Sequence, residues 1–183
     1  MDEVLQHRYV RQMKSLSPTL AFGIKFVLYF AILMGAFELS RGSAAERFLV
    51  EDCILEPAIG LIRTIAPNEQ VELIGRTIQS PVSKLRVTRG CEGVEIFLIL
   101  VAGVIAFPAR WTARLHGLTV GAAIAYVLSL ARLIALHFTL RYSPGAWEAL
   151  HGLVLPLGPI VVISLYFMSW SGRVPMNQAS HAA

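Results

Sequence analysis

Three residues of this chain carry side chains suited to covalent chemistry: Cys91, Arg132 and His151. A cysteine thiolate is a strong nucleophile, and it forms near neutral pH where positive charge surrounds the sulfur. An arginine beside it can hold that thiolate or the oxyanion of a tetrahedral intermediate. A histidine titrates in the range needed to protonate a departing amine. Together the three can perform acyl transfer through a thioester. Each also has an ordinary role. A lone cysteine is more often a small buried packing residue, Arg132 can serve as counter-ion to Glu95, one turn after Cys91, and His151 can snorkel or cap a helix. The reading rests on their convergence, and that depends on the elements that carry them.

Those elements are set by composition. The chain has 183 residues, of which 55% are hydrophobic and 15% charged, too apolar for a water-soluble domain of this size. Apolar runs cover Leu20 to Leu39, Val94 to Phe107 extended backwards through Cys91, Leu118 to Phe138, and Leu153 to Trp170. At ~20 residues per crossing these predict about four transmembrane helices, hence an all-α polytopic membrane protein in which residues 1–183 form one membrane-embedded domain. The first run is too long for a cleavable signal and no small-residue cleavage site closes it.

Between the first two spans lies the main polar region, residues 41–89. Ala44 to Ala66 mixes apolar residues with Glu46, Arg47, Glu51, Asp52, Glu56 and Arg63, and is interrupted by Pro57. One or two amphipathic helices at the interface are expected there. After Pro67-Asn68, Val82, Lys84 and Arg86 alternate with Ser83, Leu85 and Val87, predicting a short β-ribbon that leads into Gly90-Cys91.

Alternation of the last three helices places Cys91 at the start of the second, Arg132 near the end of the third and His151 just before the fourth, all at one membrane face. In the first helical turn Cys91 would feel the positive end of the dipole. Arg132 would lie roughly 9 Å inside a helix ending at Phe138, so it should face the bundle interior and have a partner. His116 falls at the opposite face, His7 and His181 in the tails, and His137 is turned roughly 140° from Arg132. Small residues such as Gly103, Gly121, Ala122 and Ala123 suit close helix packing.

Basic residues set the orientation. Arg8, Arg11 and Lys14 precede the first span, Arg110 and Arg114 join the second and third, and Arg173 follows the last, whereas Arg86 and Arg89 end a long loop where the rule weakens. Residues 1–19 and 171–183 are therefore expected in the cytoplasm, 41–89 outside it, and 90–170 as the catalytic helical core. Trp111 and Trp170 would mark the inner interface and Trp147 the outer one.

The pI near 9.4 does not indicate a nucleic-acid partner, because the basic residues form no stripe interleaved with aromatics. With only Cys53 and Cys91 there is no disulfide framework or four-cysteine metal site, and neither metal nor cofactor is expected. A single Cys53–Cys91 bridge is possible, which allows a redox protein. A noncatalytic scaffold or small transporter with a structural Arg132/Glu95 pair is the reading from another class.

The residues resemble the exosortase/archaeosortase family, most closely its short exosortase H type, from the ribbon before Cys91 through Trp170. The carriers are Gly90-Cys91-Glu92-Gly93-Val94-Glu95, Ala106-Phe107-Pro108-Ala109, Ser129-Leu130-Ala131-Arg132 and His151-Gly152. The resemblance implies a membrane cysteine transpeptidase or protease. Its substrates would be secreted proteins bearing a C-terminal tripartite sorting signal, made of a motif, a hydrophobic span and a basic tail. Cys91, Arg132 and His151 would be catalytic, with Glu95 and Ser129 supporting. The further partners implied are membrane lipids and an acceptor nucleophile. The location implied is the bacterial inner membrane, multi-pass, with the site facing the periplasm. Two positions depart from the pattern. Glu92 stands where a small or amide residue is common, and a carboxylate pointing inward opposes thiolate formation. Ser129 stands where asparagine is expected, still able to donate a hydrogen bond from the face of Arg132.

Overall fold

A computed structural model describes residues 18–88 and 90–174. The expectations placed on Arg8, Arg11, Lys14, Arg89, His7, His181 and the end of the tail lie outside the described residues. The chain is mostly helical. In order it forms α1 (Pro18–Leu39), α2 (Ala44–Arg47), a π-helical segment Phe48–Leu55, α3 (Glu56–Ile65) and a 3-10 turn Pro67–Glu69. Strands β1 (Glu72–Ile74), β2 (Thr77–Gln79) and β3 (Lys84–Arg86) follow, then α4 (Val94–Ala106) and α5 (Trp111–Tyr142). The last run comprises a 3-10 turn Pro144–Ala146, α6 (Trp147–Ala149), a π-helical turn Leu150–Val154 and α7 (Leu155–Arg173).

Among the described residues, three helical stretches are long and apolar enough to cross a membrane: Pro18–Leu39, Trp111–Tyr142 and Pro144–Arg173. The fourth apolar run makes a helix of 13 residues, about 20 Å at 1.5 Å per residue, shorter than a hydrocarbon core. It starts late because Gly90 to Gly93 form a turn rather than helix. In contrast, α5 has 32 residues, about 48 Å, and outreaches a bilayer.

Helices α5 and α7 run antiparallel. Tyr166 Oη donates to Gly117 O at 2.7 Å and Trp170 Nε1 to Ala113 O at 3.2 Å, joining the end of α7 to the start of α5. A side chain at Gly117 or Gly121 would run into Trp170, or into Leu100 and Tyr166, so small residues there allow the close approach expected. Around this end sits one apolar cluster that includes Leu100, Val104, Ile163 and Trp170. A second cluster, at the opposite end, joins Val50, Leu55, Ile59, Ile78 and Leu85 to Cys91, Leu133 and Leu136.

That second cluster is built by the segment between the spans. Val50, Ile54, Leu55, Ala58, Ile59 and Ile62 form a buried stripe along one continuous helical run, while Phe48, Leu49, Leu61 and Ile65 point outward. Pro57 does not break the run, contrary to expectation. It lacks an N–H, but it falls in the first turn of α3, and the preceding π segment re-registers the bonds, with Glu56 N–H reaching Glu51 O. The ribbon is a three-stranded antiparallel sheet in the order β1-β2-β3, wider than the sequence suggested. Its register aligns Leu73, Ile78 and Leu85 on one face, and Ile78 and Leu85 are buried on the cluster. Gly75, at φ 60°, opens the two-residue β1–β2 turn, which requires positive φ there.

Candidate active site

The turn that carries Cys91 is shaped by two glycines. Gly90 and Gly93 take φ of 79° and 82°, left-handed values that other residues adopt only with strain. Cys91 N–H closes the turn on Thr88 O at 3.0 Å, and its sulfur lies 3.8 Å from Thr88 Oγ1. Cys91 is buried and thus precedes α4 by three residues instead of occupying its first turn. The helix dipole acts on it more weakly than expected, since the effect falls off within about a turn.

Gly93 rests directly on α5. A Cβ at that position would overlap Ser129 Oγ, so the Cys91 turn docks at the level of Ser129, one turn before Arg132. Ser129 Oγ itself donates to Ala125 O at 2.9 Å. Its donor is therefore consumed within the helix, and its contribution is the seat it offers Gly93. Arg132 is 7% exposed. It lies farther inside than expected, because α5 runs on to Tyr142, ten residues or about 15 Å beyond it.

The expected partner of Arg132 is missing. Its Nε is buried without an acceptor, and no hydrogen bond or ion pair reaches the guanidinium from any described residue. Half-buried Glu95 makes no ion pair with it, so the structural Arg132/Glu95 pair is not formed. Cys53 and Cys91 are both free, and the redox-pair reading loses its bridge.

His151 does not precede the last helical run but sits within it, on the π-helical turn. Trp147, His151 and Leu155 recur at four-residue intervals on one face, and both Trp147 and Leu155 pack on the cluster that holds Cys91, Leu133 and Leu136. The imidazole stacks on Trp147 with centroids 5.0 Å apart and planes at 8°, and its buried Nδ1 has no partner among the described residues. Cys91 belongs to this cluster, while Arg132 and His151 are linked to it through their neighbours Leu133, Trp147 and Leu155; no hydrogen bond or ion pair joins any two of the three among the described residues.

Two polar networks surround this end that the residue pattern did not reveal. Arg76, in the β1–β2 turn, meets Glu46 at 2.5 Å, Glu92 at 3.4 Å and Glu51 at 3.5 Å. The hydrogen bond from Arg76 holds the Glu46 carboxyl below its ordinary range despite burial. Glu92 is fully buried and shifts the other way: burial pushes its carboxyl up, Glu95 adds to this, and Arg76 opposes. The second network centres on Glu69 of the 3-10 turn. It lies 2.7 Å from His137 Nε2, accepts from Tyr142 Oη at 2.7 Å, and has Arg141 at 3.6 Å. Burial acts most strongly on Glu69 and raises it, but the bonds from His137 and Tyr142 together bring it below the usual range. The pairs link residues 25 to 73 positions apart, apart from Arg76–Glu92 at 16. The one local hint is a set of acidic residues, Glu46, Glu51 and Glu56, recurring every five positions on a segment too apolar to leave them unpaired.

Comparison with protein-family models, curated proteins and solved structures yields no match.

Proposed function

We propose that this chain is an exosortase-type membrane cysteine transpeptidase or protease acting on C-terminal sorting signals. The observation that carries the reading is Arg132: a residue only 7% exposed, its buried Nε without an acceptor and no anion paired with it among the described residues, one turn from the seat of the Cys91 turn. A buried charge without a partner is costly, and a ligand or intermediate that brings negative charge relieves that cost. In the proposed reaction the Cys91 thiolate adds to the carbonyl of the substrate amide, with Arg132 holding the oxyanion. The C–N bond then breaks as His151 delivers a proton to the amine, leaving a thioester on Cys91. An amine acceptor or water releases the product and regenerates the thiol.

The apolar groove of about 250 Å3 bordered by Leu49, Cys53, Phe97, Ala122, Tyr126 and Ser129 supports the substrate class, as it offers a hydrophobic segment a path toward the Cys91 turn. In the proposed topology α4 and its leading turn complete a fourth crossing of the bacterial inner membrane, with the site toward the periplasm. The unpartnered Arg132 also counts against a scaffold built on a structural ion pair.

The test is co-expression with a secreted reporter carrying a tripartite tail, followed by mass spectrometry of the reporter. Processing is expected from the parent chain and from Cys53→Ala, and none from Cys91→Ala at equal membrane abundance. Processing by Cys91→Ala would refute the assignment.

A further inference from the structure

Cys91 and Glu92 are held between two glycines in left-handed conformations, so the backbone of this turn supplies little stiffness of its own. Its orientation depends on tethers. One is the seat of Gly93 on Ser129. The other is Glu92, whose side chain is 1% exposed and whose only hydrogen bond among the described residues runs from Arg76 to Oε1, leaving Oε2 without a partner there. Arg76 is itself well anchored. Its carbonyl accepts from Val87 N–H at 2.9 Å, and its remaining nitrogens reach Glu46 and Glu51. One guanidinium thus ties the segment before the sheet, the β1–β2 turn and the residue next to Cys91 into a single unit.

We infer that Arg76 is a positioning residue for Cys91, acting through Glu92, and that the charge balance of this pair governs how readily Cys91 reacts. The inference rests on the reading of Cys91 as a nucleophile. The charged groups acting on Glu92 are Arg76 in contact, with Glu95 on α4 and Arg41 and Glu46 from the α1–α2 region at longer range. On the cysteine side Thr88 lies at the sulfur, and Arg132 stands on α5 one turn beyond Ser129, the seat of Gly93. While Arg76 is present, the carboxylate of Glu92 is compensated. Without Glu92 the turn loses the anion next in sequence to Cys91, which favours the thiolate even though Arg76 keeps Glu46 and Glu51; without Arg76 the turn loses a tether and any negative charge on Glu92 opposes the thiolate.

The experiment follows alkylation of Cys91 by N-ethylmaleimide across pH, using the full chain with Cys53→Ala in nanodiscs and intact-mass detection. Glu92→Gln should speed alkylation at pH 7 by roughly threefold or more and move the profile to lower pH, the direction set by losing a nearby anion. Arg76→Gln should move the profile to higher pH, Arg76→Lys should restore most of the parent profile, and the Arg76→Gln/Glu92→Gln double variant should return close to the parent. A salt bridge with a purely structural role would instead scale the rate equally at every pH, and that result overturns the inference. Should Arg76→Gln fail to fold, the isosteric Glu92→Gln decides, since Arg76 keeps Glu46 and Glu51. Because alkylation needs no sorting substrate, the predicted shifts in a chain that processes no reporter would reject the proposed function alone. Unshifted profiles in a processing-competent chain would reject the positioning role alone.

Discussion

Replacing Gly93 by alanine should cost far more than the same change at Gly90, and the difference measures how tightly the Cys91 turn is pressed on α5. Both glycines are left-handed, at φ 79° for Gly90 and 82° for Gly93, so a side chain at either pays about 1–2 kcal/mol of backbone strain. At Gly90 nothing lies within 4 Å of the added Cβ, and the strain is the whole cost. At Gly93 the Cβ overlaps Ser129 Oγ and comes within 2.9 Å of Ser129 Cβ, and the α5 backbone stands behind it at 3.5 Å. Overpacking of this kind adds about 1–3 kcal/mol. The expected totals are about 1–2 kcal/mol for Gly90→Ala and about 2–5 kcal/mol for Gly93→Ala, by addition of the two effects. Thermal unfolding of the purified chain in detergent, at fixed detergent and lipid content, gives the comparison. Ser129→Gly combined with Gly93→Ala should recover most of the collision but not the strain, less about 1 kcal/mol for glycine in a helix. Equal destabilisation by Gly90→Ala and Gly93→Ala would refute the docking of this turn on Ser129.

The remaining predictions address charge and proton transfer. Arg132→Lys keeps the charge but loses the planar fork, so reporter processing should fall to a trace if two oxygens are held at once; near-full processing by Arg132→Lys would remove the oxyanion role. His151→Gln should block cleavage without trapping an acyl-enzyme if His151 protonates the leaving amine, whereas a hydroxylamine-sensitive thioester would instead place His151 at the acceptor step. Acid should loosen the region of residues 44–86. Glu46 and Glu69 titrate below their ordinary value of 4.5, so their stabilisation is complete above it and is lost as pH falls through their lowered values. Glu92, raised, works in the opposite sense and softens the loss. Hydrogen exchange between pH 7 and 3 should show protection of this region declining below about pH 4.5, and unchanged protection at pH 3 would contradict the two networks.

Much of the scaffold was legible because hydrophobic length and periodicity are local quantities. The apolar runs marked every long helix, and the alternation of Val82, Lys84 and Arg86 with Ser83, Leu85 and Val87 marked the run that holds β3, where Leu85 is buried and Lys84 and Arg86 are exposed. The runs did not reveal where the helices begin relative to the chemistry. Gly90 and Gly93 hold Cys91 outside α4, and α5 runs past Phe138 to Tyr142, where Tyr142 donates to Glu69 of the segment between the spans. Pro57 was read as an interruption, whereas its place in the first turn of α3 makes the missing N–H harmless.

At the site, residue type and helix direction led to the expectation that Cys91, Arg132 and His151 lie at one membrane face. Which charges meet there was decided by the tertiary structure. Among the described residues Arg132 has no carboxylate, Glu92 faces Arg76, His137 closes on Glu69, and Ser129 turns its hydroxyl back into its own helix. The physical reason is one of range. Periodicity and span length follow from neighbours within a few residues, whereas an ion pair in a buried site follows from two distant segments arriving within about 4 Å of each other. Sequence spacing sets no limit on which of several acidic residues arrives first, and only packing of the 44–86 segment over α5 makes that choice.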